Sequence, residues 1–166
     1  TIDVKSASDL QTEFHERMIT DFGGRSIDLG KMFHLPKDMD CIIYPGELVT
    51  IFGPTGSSKT TFAQNIALGV DFVEDRIVSD WQIPTLFLSL ELSAWYMHRR
   101  HLQIVSGLSK DEVTENYQDV YEAHKDKLSH LVIQTIAPTL EQIQSKIKSL
   151  QPAVVIVDYI DLVCFL

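Results

Sequence analysis

Small residues, a lysine and two threonines stand together at Gly53-Pro54-Thr55-Gly56-Ser57-Ser58-Lys59-Thr60-Thr61, between the apolar run Leu48-Val49-Thr50-Ile51-Phe52 and a helical pattern. These residue types at this spacing suit the binding of phosphate. A glycine-rich loop can wrap backbone N–H groups around phosphate oxygens, and the N-terminus of the following helix points at them. Lys59 would reach the β- and γ-phosphates of a nucleotide, and the Thr60 hydroxyl would ligate Mg²⁺. The pattern is G-x-x-x-x-G-K-[ST] with one departure, Ser58 in place of the second glycine. Backbone and phosphate approach closely there, so a serine Cβ either crowds the site or is tolerated. A chance Gly/Ser-rich turn is the alternative reading, and the flanking strand and helix patterns weigh against it.

Two carboxylates extend the chemistry. Glu91 follows the near-continuous apolar run Thr85-Leu86-Phe87-Leu88-Ser89-Leu90, and Asp158 follows Ala153-Val154-Val155-Ile156-Val157. In open α/β sheets ligands bind at the carboxyl ends of the strands, so both acids belong beside the loop. Asp158 would hold Mg²⁺ through water, and Glu91 would polarise the water that attacks the γ-phosphate. The plainer alternatives are a solvated strand-end residue for Glu91 and a turn cap for Asp158. Asp161 reads as exposed. His98 and His101 flank Arg99 and Arg100 on a predicted helix without third and fourth ligands for zinc, which makes the cluster a basic helix face. No Ser/His/Asp or Cys/His hydrolase arrangement is evident.

The elements that must position these residues alternate. The pattern predicts strands over 47–52, 85–90, 131–136 and 153–157. It predicts helices over 59–70, 94–106, 109–127 and 139–150. In the first helix Phe62, Ile66 and Val70 share one face with Ala63 and Ala67 beside them; in the second, Trp95, Leu102 and Val105 point inward; in the fourth, Leu140, Ile143, Ile147 and Leu150 do so. Ser109–Glu112 and Thr139–Gln142 are capping boxes. Residues 71–83 read as an acidic loop. Strands alternating with helices call for βαβ units and a mostly parallel sheet, an α/β fold.

Residues 1–45 differ from the rest and form a lead-in segment, with the domain proper over 46–166. Ser8-Asp9-Leu10-Gln11 resembles a capping box that opens a short helix, on which Leu10, Phe14 and Met18 make a narrow apolar stripe. That stripe packs on this domain or on a neighbouring subunit.

Composition sets bounds. A chain of 166 residues with 45% hydrophobic side chains can bury one core. No apolar run approaches the ~20 residues of a membrane span, and the N-terminus does not read as a signal peptide. Cys41 and Cys164 lie far apart and read as reduced thiols, as in a cytoplasm. The net charge of −9 excludes tight nucleic-acid binding through bulk electrostatics, though not through a local basic loop.

Several stretches together resemble one family. Tyr44-Pro45-Gly46-Glu47-Leu48, with the loop and Thr60-Thr61-Phe62-Ala63-Gln64-Asn65-Ile66-Ala67, is similar to the opening of the RecA-like P-loop ATPase domain of DnaB-type replicative helicases. Leu88-Ser89-Leu90-Glu91-Leu92-Ser93 resembles that family's Ser-Leu-Glu strand end, whose glutamate is the catalytic base. Arg99 or Arg100 matches an arginine on its next helix. Val155-Ile156-Val157-Asp158-Tyr159-Ile160-Asp161-Leu162 resembles its Walker B stretch, with Asp161 where glutamine is usual. The resemblance covers residues 22–166.

It implies ATP and Mg²⁺ as ligands and catalytic roles for Glu91 and Lys59. It also implies a homo-oligomeric ring, a hexamer, moving on single-stranded DNA in a bacterial or phage-infected cytoplasm. The leading helix would pack on the adjacent subunit. The family's DNA-binding loops and trans-acting arginine lie beyond Walker B, outside this sequence. In RecA-like folds, moreover, the next strand lies between the Walker B and P-loop strands. On this plan the sheet is incomplete at the C-terminus, and the chain alone does not unwind DNA. The alternatives are a RecA/KaiC-type nucleotide-binding regulatory module and a degenerate remnant that binds no nucleotide.

Overall fold

The computed structural model describes residues 6–12, 26–39, 41–135 and 139–159. The chain divides into two compact units, Thr1–Thr50 and Ile51–Leu166.

In the first unit residues 7–12 are helical (α1). The capping box is Ser6 and Asp9 rather than Ser8 and Gln11. Asp9 N–H donates to Ser6 Oγ at 3.2 Å, and Ser6 N–H donates to Asp9 Oδ2 at 3.1 Å. An aspartate at the third helical position serves as well as the expected glutamine, because either side chain reaches back to the cap N–H. Phe14 and Met18 lie outside the described residues. Strand β1 (Ile27–Asp28) pairs antiparallel with β2 (Ile42–Ile43). Between them, Asp28 caps the single-turn helix α2 (Leu29–Met32) by accepting from Lys31 N–H at 2.9 Å.

The second unit is built on one parallel sheet. Strand β5 (Thr85–Ser89) lies between β6 (Leu131–Gln134) and β7 (Val154–Asp158). All five residues of β5 are buried, as its unbroken apolar run requires of a strand covered on both faces. Its side chains alternate between two clusters. Leu86 and Leu88 pack with Ile143 of helix α7 (Leu140–Leu150). Phe87 packs with Ala63 and Ala67 of helix α3 (Lys59–Leu68) and Met97 of helix α4 (Ala94–Ser106). Each large side chain so buried stabilises the fold by about 1.5–3 kcal/mol. A third cluster, with Leu102, Val105, Val113 and Val120 at its centre, joins α4 to helices α5 (Lys110–Glu115) and α6 (Tyr117–His124). This is an α/β P-loop NTPase fold, with a parallel three-stranded sheet and flanking helices. Among the described residues no helix is long and apolar enough to cross a membrane.

Several expectations are corrected. Residues 47–52 form no strand; Leu48 is 92% and Phe52 89% exposed. An apolar, β-prone run becomes a strand only beside a ladder partner, and no described segment offers one. Of the expected inward face of α3, Ala63 and Ala67 are buried, joined by Gln64 and Leu68; Phe62 and Ile66 are only half-buried, and Val70, though buried, lies beyond the helix. Phe62 instead stacks on Phe72, ring centroids 5.8 Å apart. Helix α3 stops at Gly69, whose φ of +70° and 3.0 Å approach of a would-be Cβ to Val78 O admit only glycine. The acidic stretch after it is a hairpin of β3 (Val70–Asp71) and β4 (Arg76–Ile77), turned by the Asp71 carboxylate, which accepts from Val73 and Glu74 N–H. Trp95 is exposed, not inward. It and Tyr96 carry the Arg99 guanidinium, 4.9 and 5.1 Å from the ring centroids. The helix expected over 109–127 breaks at Asn116 and ends in a 3₁₀ turn, Lys125–Leu128. On α7 only Ile143 is fully buried; Leu140 and Leu150 are exposed. Both capping boxes, at Ser109 and Thr139, are present.

Candidate functional site

Residues 53–58 form an exposed loop that delivers the chain into α3. Ser57 N–H donates to Pro54 O at 3.2 Å, closing a turn that Gly56 completes with φ +84°. Ser58 stands at the N-cap of α3 with φ +63° and ψ +23°, in the left-handed region. The backbone thus takes the shape a glycine would take at this position, at a strain cost of about 1–2 kcal/mol for an L-residue. Its hydroxyl makes no capping bond, so no side chain caps the first N–H groups of α3. A helix end of this kind attracts anions through unpaired donors and the helix dipole together.

The Lys59 side chain folds back over the loop. Its ammonium donates to Gly53 O at 2.8 Å and to Pro54 O at 2.9 Å. A Cβ at Gly53 would come within 2.5 Å of Ser57 Oγ, so a glycine there keeps the loop tight around that ammonium.

At the second residue of the helix, the Thr60 hydroxyl donates to Asp158 Oδ2 at 2.7 Å. Asp158 is the last residue of β7 and half-buried. It sits opposite Ser89 in the β5–β7 register, and Leu90 N–H donates to Asp158 O at 2.8 Å. Hydroxyl and carboxylate are hard oxygen donors of the kind Mg²⁺ takes, and these two already lie side by side. The donor set therefore fits that ion.

Glu91 lies in the bend two residues beyond β5, the strand adjacent to that of Asp158, at the same end of the sheet. It is exposed and, among the described residues, makes no hydrogen bond or ion pair. The bend is fixed from behind by Ser89, fully buried, whose hydroxyl donates to Leu92 O at 3.0 Å. The structure thus brings Lys59, Thr60 and Asp158 together and puts Glu91 on the same rim. Asp161 lies outside the described residues. Arg99 stacks on aromatic rings, and Arg100 has no bond among the described residues.

Sequence reasoning missed two supports. Ser89 as a turn lock was signalled by a serine ending an otherwise apolar strand. Gln64 was signalled by an amide on the buried face of α3; its Nε2 reaches Met97 O at 3.5 Å and ties α3 to α4.

A family model described as AAA domain matches residues 37–165. The chain is also similar to the zinc import ATP-binding protein ZnuC from two strains of Pseudomonas aeruginosa, UCBPP-PA14 and PAO1. Each is 26% identical over 95 residues, which is 53% of this chain and 34% of the relative. The chain thus spans about a third of the length of the curated relatives it matches. No solved structure matches.

Proposed function

The chain belongs to the AAA domain family of nucleotide-binding P-loop ATPases, and on that premise we propose that it binds ATP with Mg²⁺ as the ATP-hydrolysing portion of a DnaB-like replicative DNA helicase. The observation that carries the ATP·Mg²⁺ site is the Thr60–Asp158 hydrogen bond. It joins the helix behind the phosphate loop to the acidic end of β7 in one oxygen-donor pair.

Gly53, Pro54, Thr55, Gly56, Ser57 and Ser58 form the cradle, and the free N–H groups at the start of α3, Lys59 to Thr61, meet the phosphate oxygens. The Lys59 ammonium exchanges the Gly53 and Pro54 carbonyls for β- and γ-phosphate oxygens, a stronger, charge-assisted contact. Thr60 and Asp158 hold Mg²⁺, Asp158 through water; when bound, the ion neutralises the phosphate charge that builds in transfer. Glu91 orients the attacking water from the adjacent strand end and accepts its proton. An exposed, unbonded carboxylate on a bend locked by Ser89 suits that role, because it is positioned but not already engaged.

The helicase assignment rests on the Ser-Leu-Glu and Asp-Tyr stretches, Ser89–Glu91 and Asp158–Tyr159. With it come single-stranded DNA as a partner, a homo-oligomeric ring and a cytoplasmic setting. The test is ATP turnover by the whole protein with and without single-stranded DNA. Turnover stimulated several-fold by DNA supports the helicase. ATP binding with DNA-independent or absent turnover favours a RecA/KaiC-type regulatory module instead.

A further inference from the structure

The solvent face of α4 combines aromatic rings with arginine and carries no acid. Met97, His101, Leu102 and Val105 are the buried side of the helix. On the other side Trp95, Arg99 and Gln103 follow one another at four-residue steps, with Tyr96 and Arg100 beside them. Trp95 is 52% and Tyr96 50% exposed. No acidic residue occurs from Ala94 to Ser106, in a chain with 23 acidic and 14 basic side chains. The first turn of a helix is where acidic side chains are most favourable, and here that turn holds two exposed rings instead.

Rings and cations are arranged together. Trp95 and Tyr96 meet edge to face, with centroids 5.2 Å apart and planes at 82°, so their faces look in different directions. The Arg99 guanidinium lies against both, 4.9 and 5.1 Å from the two centroids. Neither Arg99 nor Arg100 makes a hydrogen bond or ion pair among the described residues. A single Trp–Arg pair one turn apart is enough to brace a helix surface. The second exposed ring and the second arginine go beyond that need.

Charge and shape together select the partner. Two uncompensated positive charges without a neighbouring carboxylate on the face call for an anion. An acidic peptide would meet the arginines and leave the ring faces bare. An apolar peptide would cover the rings and leave the arginines unmet. Single-stranded nucleic acid supplies phosphates and flat bases on one chain, the combination that arginine and aromatic side chains take together.

We propose that the solvent face of α4 binds single-stranded nucleic acid, with bases stacked on Trp95 and Tyr96 and phosphates on Arg99 and Arg100. The contact is short and weak, in keeping with a chain of net charge −9. It is separate from the phosphate loop and rests on the helicase reading only for the choice of DNA.

A fluorescein-labelled oligothymidylate of about 12 nucleotides is titrated with the chain in about 50 mM salt and followed by anisotropy. A Kd of about 10–100 μM is expected. An abasic oligomer of the same length and a polyglutamate peptide are each expected to bind about tenfold more weakly or worse. Trp95→Ala, at an exposed position, is expected to weaken oligothymidylate binding by about tenfold, and Trp95→Phe to keep most of it. Lys59→Ala is expected to leave it unchanged. No binding at about 200 μM chain, abasic oligomer or polyglutamate bound as well as oligothymidylate, indifference to Trp95→Ala, or loss in Lys59→Ala would overturn the proposal. ATP binding is read apart from this, by thermal melts without DNA.

Discussion

Thr60 Oγ1 and Asp158 Oδ2 lie 2.7 Å apart although 98 residues separate them in sequence. This bond closes the second unit on itself, from the first turn of α3 to the end of β7. Asp158→Ala removes a half-buried, charge-assisted acceptor, and such bonds contribute about 1.5–3 kcal/mol. The expected loss is about 1.5 kcal/mol, the low end because the pair is only partly buried. Urea denaturation of the variant beside the parent checks it.

Thr60→Val separates stability from ligand chemistry. Valine keeps the shape of the side chain and loses the hydroxyl. ATP with EDTA is then expected to raise the melting temperature as it does in the parent, while the further rise on adding Mg²⁺ shrinks. Thermal melts with ATP, with and without Mg²⁺, read the difference.

Ser58→Gly tests the one departure from the phosphate-loop pattern. Glycine relieves about 1–2 kcal/mol of left-handed strain and costs about 0.5–1 kcal/mol in chain entropy. No capping bond is lost, because the Ser58 hydroxyl makes none. The net expectation is a gain of about 0–1.5 kcal/mol, with ATP affinity equal to or higher than the parent's. Denaturation and calorimetric titration measure the two separately.

Stability should fall in mild acid. Burial lowers the His101 pKa from 6.5 to about 3, with smaller contributions from His98 and His130. Between those values the unfolded chain binds a proton that the native chain refuses. Stability is therefore full above pH 6.5 and declines towards pH 3, by about 1.4 kcal/mol per pH unit for one such group. Burial also lowers the pKa values of His98, His124 and His130 and acts in the same direction. Urea denaturation at pH 7 and pH 5 reads the slope, and His101→Leu is expected to flatten it.

Much of this fold was legible in the sequence, for identifiable reasons. Strand β5 showed itself as an apolar run, and α5 and α7 by capping boxes whose chemistry is local. The run 47–52 misled because apolar, β-branched residues state a demand for burial and pairing, while the partner that meets it is a matter of tertiary structure. Helix α3 misled because its apolar residues Phe62, Ala63, Ile66, Ala67 and Leu68 spread around the helix, so periodicity gave little contrast. Its buried face is set by α4, through Gln64 and Met97. The hairpin after Gly69 was hidden by its acidic turn, although the aspartate directly before that turn, Asp71, is a readable turn former. Of the site, the residue types and the strand-end positions could be read. The direct Thr60–Asp158 contact could not, because it depends on where α3 lands against β7.

The central claim, that Gly53–Thr61 with Asp158 forms an ATP·Mg²⁺ site, is tested most directly by the melting temperature of the chain with millimolar ATP and Mg²⁺. A ligand that binds only the folded state must raise it, by about 2.7 kcal/mol of added stability at a hundredfold excess over Kd. The predicted result is an upward shift in the parent that disappears in Lys59→Ala, a variant of otherwise near-parental stability because the Lys59 bonds are exposed. No shift in the parent, or an equal shift in Lys59→Ala, would contradict the site.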